Sequence, residues 1–216
     1  MAWYLDAPEI KPVTTQDWVG NVAQGGAVNF NTITFNPHAH GTHTETIGHI
    51  TPEAYPINEQ LKQFFFMAEL ITVAPEKRGD DDVISLQQIA YSLGDKTPEA
   101  LVIRTIPNTI DKKTRQWSNT HWPYIEEAAM IRFRESGIKH LLIDLPSVDP
   151  EKDEGALKAH RAFWDVEGKP RYDATITEMI YVPHKIKDGS YLLNLQIAAF
   201  DNDAAPSKPV LYKVED

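Results

Sequence analysis

Four of the eight histidines in this 216-residue chain fall between His38 and His49. The stretch reads Asn36-Pro37-His38-Ala39-His40-Gly41-Thr42-His43-Thr44-Glu45-Thr46-Ile47-Gly48-His49. Imidazole is the commonest metal ligand and the side chain that titrates nearest neutral pH. Such a run is either a polar loop left in water or a group gathered around a cation. Residues two apart on a strand share a face. His43, Glu45 and, if the strand continues, His49 then point the same way. His43 and Glu45 could bind one ion, and a histidine before Gly41 could complete the set once the glycine lets the chain bend. Neutral imidazole and carboxylate suit zinc, manganese or iron. With a coordination position open, the ion would carry water and lower its pKa from about 15.7 to roughly 7, which is hydrolytic chemistry.

Composition closes off other chemistries. There is no cysteine, which excludes disulfides, thiolate metal sites and a cysteine nucleophile. The formal net charge of -10 argues against a partner whose phosphates need a basic patch, so no nucleic acid is expected. Gly25-Gly26 lacks the spacing of a nucleotide loop, and Ser147 lacks the surroundings of a nucleophile elbow. The first residues, Met1 to Asp6, lack the basic and apolar regions of a signal peptide. The most apolar stretch, Phe64 to Ala74, is short and interrupted by Glu69, so no membrane partner is expected. A cytoplasmic protein is the simplest reading, unless a leader has been removed.

The length suits one domain, or at most two small ones. Residues 27–35 alternate apolar and polar, as a half-buried strand does. Strands are expected at 67–74, 100–105 and 138–144. Helices are expected at Val83–Leu93, opening near Ser85, at Pro123–Ser136, ended by Gly137, and at 154–164. Thr175–Val182 and Tyr191–Ala199 read as a last strand pair, with Asp188-Gly189 as its hairpin turn. Strands and helices mix without strict alternation, so the class is α/β or α+β. His140 and His184 stand alone and read as ordinary residues. Phe64-Phe65-Phe66 reads as core or an oligomer contact. Asp144 and Asp149 read as caps or loop residues before hydrogen-bond supports of a site.

The run Gly41-Thr42-His43-Thr44-Glu45 followed by His49 resembles the metal-dependent cyclase-type amidohydrolases, which include bacterial kynurenine formamidase. More of the chain is similar to that family in the same order. Trp18-Val19-Gly20-Asn21 looks like its Trp-Pro-Gly-Asp, Val102 to Thr105 like its central strand, and Pro123 to Gly137 like its long helix. Leu142 to Asp149 looks like its Gly-x-Asp-x-x-Ser-x-Asp segment, and Ala159-His160-Arg161 and Thr177-Glu178 like its late histidine and glutamate. The resemblance implies a single domain over residues 1–216 with a swivelling β/β/α fold, a mixed sheet with flanking helices. It implies His43 and Glu45 as metal ligands with His38 before them, His160 and Glu178 holding a second metal, His49 as general acid/base, and Trp18 lining the substrate pocket. Zinc, one or two ions per chain, is the implied cofactor, with manganese as the other choice.

Departures from the family mark a divergent member. Alanine occupies position 39, where the family has its first histidine. His38 lies five residues before His43 and His40 three before, and Pro37-His38 looks like the family's Pro-His, which favours His38. Glu45 replaces aspartate, and Thr46-Ile47-Gly48 lacks the family's proline. The implied activity is hydrolysis of a C–N bond in a small amide. An aryl formamide such as N-formylkynurenine, of the kynurenine pathway in tryptophan catabolism, is the first candidate. A cyclic amide or lactone hydrolase, or a catalytically silent metal- or ligand-binding protein, are the other readings. A homodimer or higher homo-oligomer is expected.

Overall fold

Two apolar runs, Ala100–Ile103 and Leu141–Ile143, are buried throughout. Strands with no polar break suit only the middle of a sheet covered on both faces, and these two form the centre of the fold. The computed structural model describes residues 1–214. In chain order its first elements are β1 (Glu9–Pro12), β2 (Asn31–Thr34), the one-turn helix α1 (Pro37–His40), β3 (His43–Glu45) and α2 (Ile57–Gln60). Then come β4 (Phe65–Val73), β5 (Glu76–Arg78), β6 (Asp81–Ile84), α3 (Leu86–Leu93), β7 (Ala100–Thr105) and β8 (Tyr124–Ile125). The remainder is α4 (Glu127–Glu135), β9 (His140–Ile143), α5 (Lys158–Trp164), β10 (Thr175–Glu178), β11 (Gly189–Asn194), β12 (Ala204–Pro206) and β13 (Val210–Lys213).

Eight strands form one mixed sheet in the order β12-β3-β10-β9-β7-β4-β11-β13. The four middle strands, β10, β9, β7 and β4, are parallel neighbours. Antiparallel strands extend the sheet at both ends. The protein is therefore an α/β fold with a mixed sheet and a few flanking helices. Leu101, Ile103, Leu141, Ile143 and Ile176 face a core shared with Met130, Phe133, Phe163 and Trp164 of the helices. Ala100, Val102 and Leu142 face a smaller core on the other side, with Phe66 and Leu193. Among the described residues no helix is long and apolar enough to cross a membrane.

Local signals explain the elements where they hold. Ser85 caps α3 in a capping box with Gln88, two backbone donors being satisfied reciprocally. Val83 and Ile84, expected in that helix, belong instead to β6. Gly137, at φ 80°, takes the left-handed conformation that ends α4. The helix expected from Pro123 starts only at Glu127, because Tyr124 and Ile125 pair with Val83 and Ile84 as a strand.

Two other expectations are corrected. Only 31–34 of the 27–35 stretch is strand, and it is exposed rather than half-buried. It pairs with β1 alone in a separate two-stranded ribbon, which has no layer to cover its apolar side, so Ile10, Phe30 and Ile33 are exposed. The two late strands are not a hairpin. β10 lies between β3 and β9, while β11 lies between β4 and β13. Asp188 does not serve a turn between paired strands; its carboxylate accepts from Thr72 and Arg104.

Candidate metal centre

Alternation on β3 sends His43 and Glu45 to the helix-covered face and Thr44 to the other. β10 runs antiparallel beside it, with Glu178 opposite His43 and Ile176 opposite Glu45. Helix α5 brings His160 over the same face. Asn36 caps α1, its side-chain oxygen accepting from Ala39 N at 3.2 Å, and this turn aims His38 at Glu45. His49 is not on the strand as the six-residue spacing suggested. Thr46 caps a 3-10 turn over Ile47–His49, and the turn folds the imidazole back over the strand it has left.

The resulting cluster is dense. His38 Nδ1 lies 3.0 Å from Glu45 Oε2 and its Nε2 lies 2.8 Å from Asp203 Oδ2. His160 Nε2 lies 3.2 Å from Glu45 Oε1 and 3.8 Å from Glu178 Oε1. His49 Nε2 lies 3.9 Å from Glu45 Oε2, and its Nδ1 lies 3.5 Å from Asp203 Oδ2. The His38 and His49 rings stack with centroids 4.2 Å apart. Three sets of donors each fall within 4.8 Å of one another: His38, His43 and Glu45; His38, His49 and Asp203; Glu45, His49 and His160. His38, Glu45 and His49 each belong to two sets, so the donors could hold more than one ion.

His43 tests whether a cation fits. Its Nδ1 donates to the Gly41 carbonyl at 2.9 Å, which leaves Nε2 with a bare lone pair. That atom is buried and has no hydrogen-bond partner among the described residues. It faces Glu178 Oε2 at 3.5 Å and Glu45 Oε2 at 3.8 Å. The His43 lone pair has no donor facing it, and a cation seated between it and the two carboxylates would satisfy all three. An all nitrogen-and-oxygen donor set of this kind fits zinc or manganese.

The electrostatics agree. Burial acts to lower the pKa of His38, but hydrogen bonds from Asp203 and Glu45 raise it to about 10. Burial likewise opposes a charge on His160, and Asp149 and then Glu45 outweigh it and hold its pKa well above the ordinary value. Burial would raise Glu45, yet His49, His160 and His38 hold it well below the usual carboxylate range. Asp203 is also held low, by His38 and His49 against its burial. The pocket demands positive charge.

The other sequence candidates are placed as follows. His40 turns away, its Nδ1 accepting from Asn36 N and its Nε2 donating to the Asp6 carbonyl. Trp18 is not brought to the cluster. It lies at the exposed ribbon against Phe30, with ring centroids 6.0 Å apart. Gly41, at φ 168°, is extended rather than turned. Gly48 is needed for a different reason: a Cβ there would meet Tyr55 N at 2.9 Å.

Three residues were missed or undervalued. Asp203 joins the cluster from 154 positions beyond His49, and its sequence neighbourhood carries no motif. Asp149 is both cap and support: it accepts from Ala159 N and His160 N and lies 2.6 Å from His160 Nδ1, the carboxylate–histidine pairing that orients a metal ligand. Trp3, with Leu5, His38, His49, Ser147 and Glu178, lines a cavity of about 360 Å³ in front of the cluster. It packs edge-on to Trp122, with centroids 5.1 Å apart.

Comparison with known proteins agrees with this architecture. The model of the family described as "Putative cyclase" matches residues 2–150, a span that includes His38, His43, Glu45 and His49 but not His160, Glu178 or Asp203. Isatin hydrolase A from Labrenzia aggregata, bound to benzyl benzoate, superposes with TM-score 0.67 at 15% identity over 95% of this chain and 83% of that one. A predicted metal-dependent hydrolase from Bacillus stearothermophilus gives 0.62 at 17% identity over 94% and 86%. A potential metal-dependent hydrolase with cyclase activity gives 0.63 at 16% identity over 94% and 86%. These likenesses establish a shared fold.

Proposed function

The chain belongs to the cyclase family, and from that premise we propose that it is a metal-dependent hydrolase of a C–N bond in a small amide, with an aryl formamide such as N-formylkynurenine as the first substrate. The observation that carries the reading is the bare, buried His43 Nε2 between two carboxylates. His43, Glu45 and His38 would hold one zinc or manganese ion, with His160 and Glu178 ligating a second. Such an ion, when bound, supplies Lewis acidity to a carbonyl oxygen and lowers the pKa of water.

The chain's own residues supply the rest. Asp149 keeps the His160 ring turned toward the cluster. His49 borders both the cluster and the cavity, where it can pass a proton to the leaving amine. Trp3 offers an aromatic wall to an aryl group. Asp203 holds His38 and His49 in register. The names of the isatin hydrolase neighbours favour a second reading, a cyclic amide substrate on the same site. We also propose a homodimer or higher homo-oligomer, supported by the exposed apolar residues of the ribbon.

The test is a panel of N-formyl aryl amides, cyclic amides and lactones, run with added zinc or manganese. Turnover of the formamides, abolished by chelation, is expected. Turnover of cyclic substrates alone would select the second reading, and no turnover in a metal-loaded protein would mark a silent binding protein.

A further inference from the structure

The main sheet has another cavity, on the face turned away from the metal centre. It measures about 470 Å³, within the size range of small-molecule sites. Val102 and Leu142, on the neighbouring strands β7 and β9, belong to its lining, as do Leu193 of β11 and Leu211 of β13. Among the described residues the lining includes two lysines, Lys113 at the end of a 3-10 turn and Lys208 in the loop before β13, and no carboxylate. The chain has 31 acidic side chains against 21 lysines and arginines, so a described lining with two lysines and no acid is a local reversal of sign. Lys113 is held at the cavity by Tyr181, another lining residue, with Nζ 5.7 Å from the ring centroid.

The cavity reaches β3 from behind. Thr42 and Ser207 line it, and Ser207 Oγ accepts from Thr44 Oγ1 at 2.9 Å. It therefore lies one strand's thickness from His43 and Glu45 but includes none of the clustered nitrogens and carboxylates. We propose that this cavity binds a small monocarboxylate with an apolar body, at a site separate from the metal centre. Apolar walls remove the body from water, and the two ammonium groups match the carboxylate. A neutral apolar molecule would leave the lysines without a role, and a compact polyanion would leave the apolar walls unused.

Calorimetric titration with octanoate and with 3-phenylpropanoate tests the site. At least one should bind saturably at one per chain, and the matching neutral alcohol should bind roughly tenfold more weakly or worse. The double variant Lys113→Gln/Lys208→Gln should lose roughly tenfold in affinity, the sum expected of two partly exposed ion pairs. Both lysines are exposed, so the variant's thermal midpoint should match the parent's. EDTA in the buffer and the variant His43→Ala should leave the affinity unchanged. Failure of both acids to bind overturns the proposal, as does parent-like affinity in the double lysine variant. Loss of binding with EDTA or in His43→Ala would also overturn it, because the carboxylate would then be sitting on the metal.

Discussion

At the scale of single residues, the decisive contrast is between histidines that look alike in sequence. His43 and His140 are both buried. His140, however, lies on the opposite sheet face under Phe66, with its Nδ1 on Thr175 Oγ1. Burial lowers its pKa to about 4. His43→Ala and His38→Ala should therefore lose metal by elemental analysis, while His140→Ala and His40→Ala keep it. Loss in His40→Ala alone would mean that His38 is not a ligand. His49 stands at the cluster's rim. His49→Ala should keep its metal but lose turnover by roughly 10²–10⁴-fold, the usual weight of general acid–base catalysis; loss of metal would instead make it a ligand. Protons add a third test. His38 has its pKa raised to about 10 and His160 is raised as well, so both carry protons at pH 7. A metal that takes these nitrogens must displace them. Its affinity should rise with pH below about 10, by roughly tenfold per unit for each proton released. Metal titrations at pH 6 and pH 8 that give the same Kd would rule out ligation by His38 and His160.

Elements decide where those residues can go. β3 is only three residues long, so alternation delivers just His43 and Glu45, and a separate turn must return His49. That turn packs on the backbone of Tyr55. Gly48→Ala would put a Cβ 2.9 Å from Tyr55 N, in contact with backbone rather than a flexible side chain. The variant should lose about 1–3 kcal/mol of stability, the usual range for overpacking, and turnover should fall with metal content retained. A thermal midpoint equal to the parent's would show that the turn does not depend on this contact. The body of helix α3, strand β7 and the end of α4 at Gly137 were legible because their signals are local: a serine at the helix opening, an unbroken apolar run and a glycine free to turn left-handed. β8 and the β10–β11 region were not, because short segments choose partners by what lies beside them.

Across the whole molecule, the ribbon of β1 and β2 is the unsolved surface of the isolated chain. A two-stranded ribbon is marginal alone, and this one exposes Ile10, Phe30 and Ile33. A homo-oligomer in which the ribbon is covered should appear as a dimer or larger species by light scattering. Ile10→Lys/Ile33→Lys should shift it toward monomer with secondary structure retained. A parent protein that runs as a monomer at all concentrations would refute the assembly. Trp18 rides on this ribbon, exposed beside Phe30 and outside the histidine cluster.

The order of residues by itself determined the chemistry of the candidate donors at the centre of the cluster and the fold class. Gly41 to Glu45 places a histidine and a carboxylate two apart, and strand geometry converts that spacing into one face without reference to anything distant. Tertiary structure alone decided which other side chains meet them. Asp203 reaches His38 across 165 positions because β12 lies beside β3 in the sheet, and His160 reaches Glu45 across 115 because α5 packs over that face. It also decided between His38 and His40 as members of the cluster, through the cap on a single helical turn. Register and strand order are set by how the whole apolar surface is buried, and that sum is not written in any one segment.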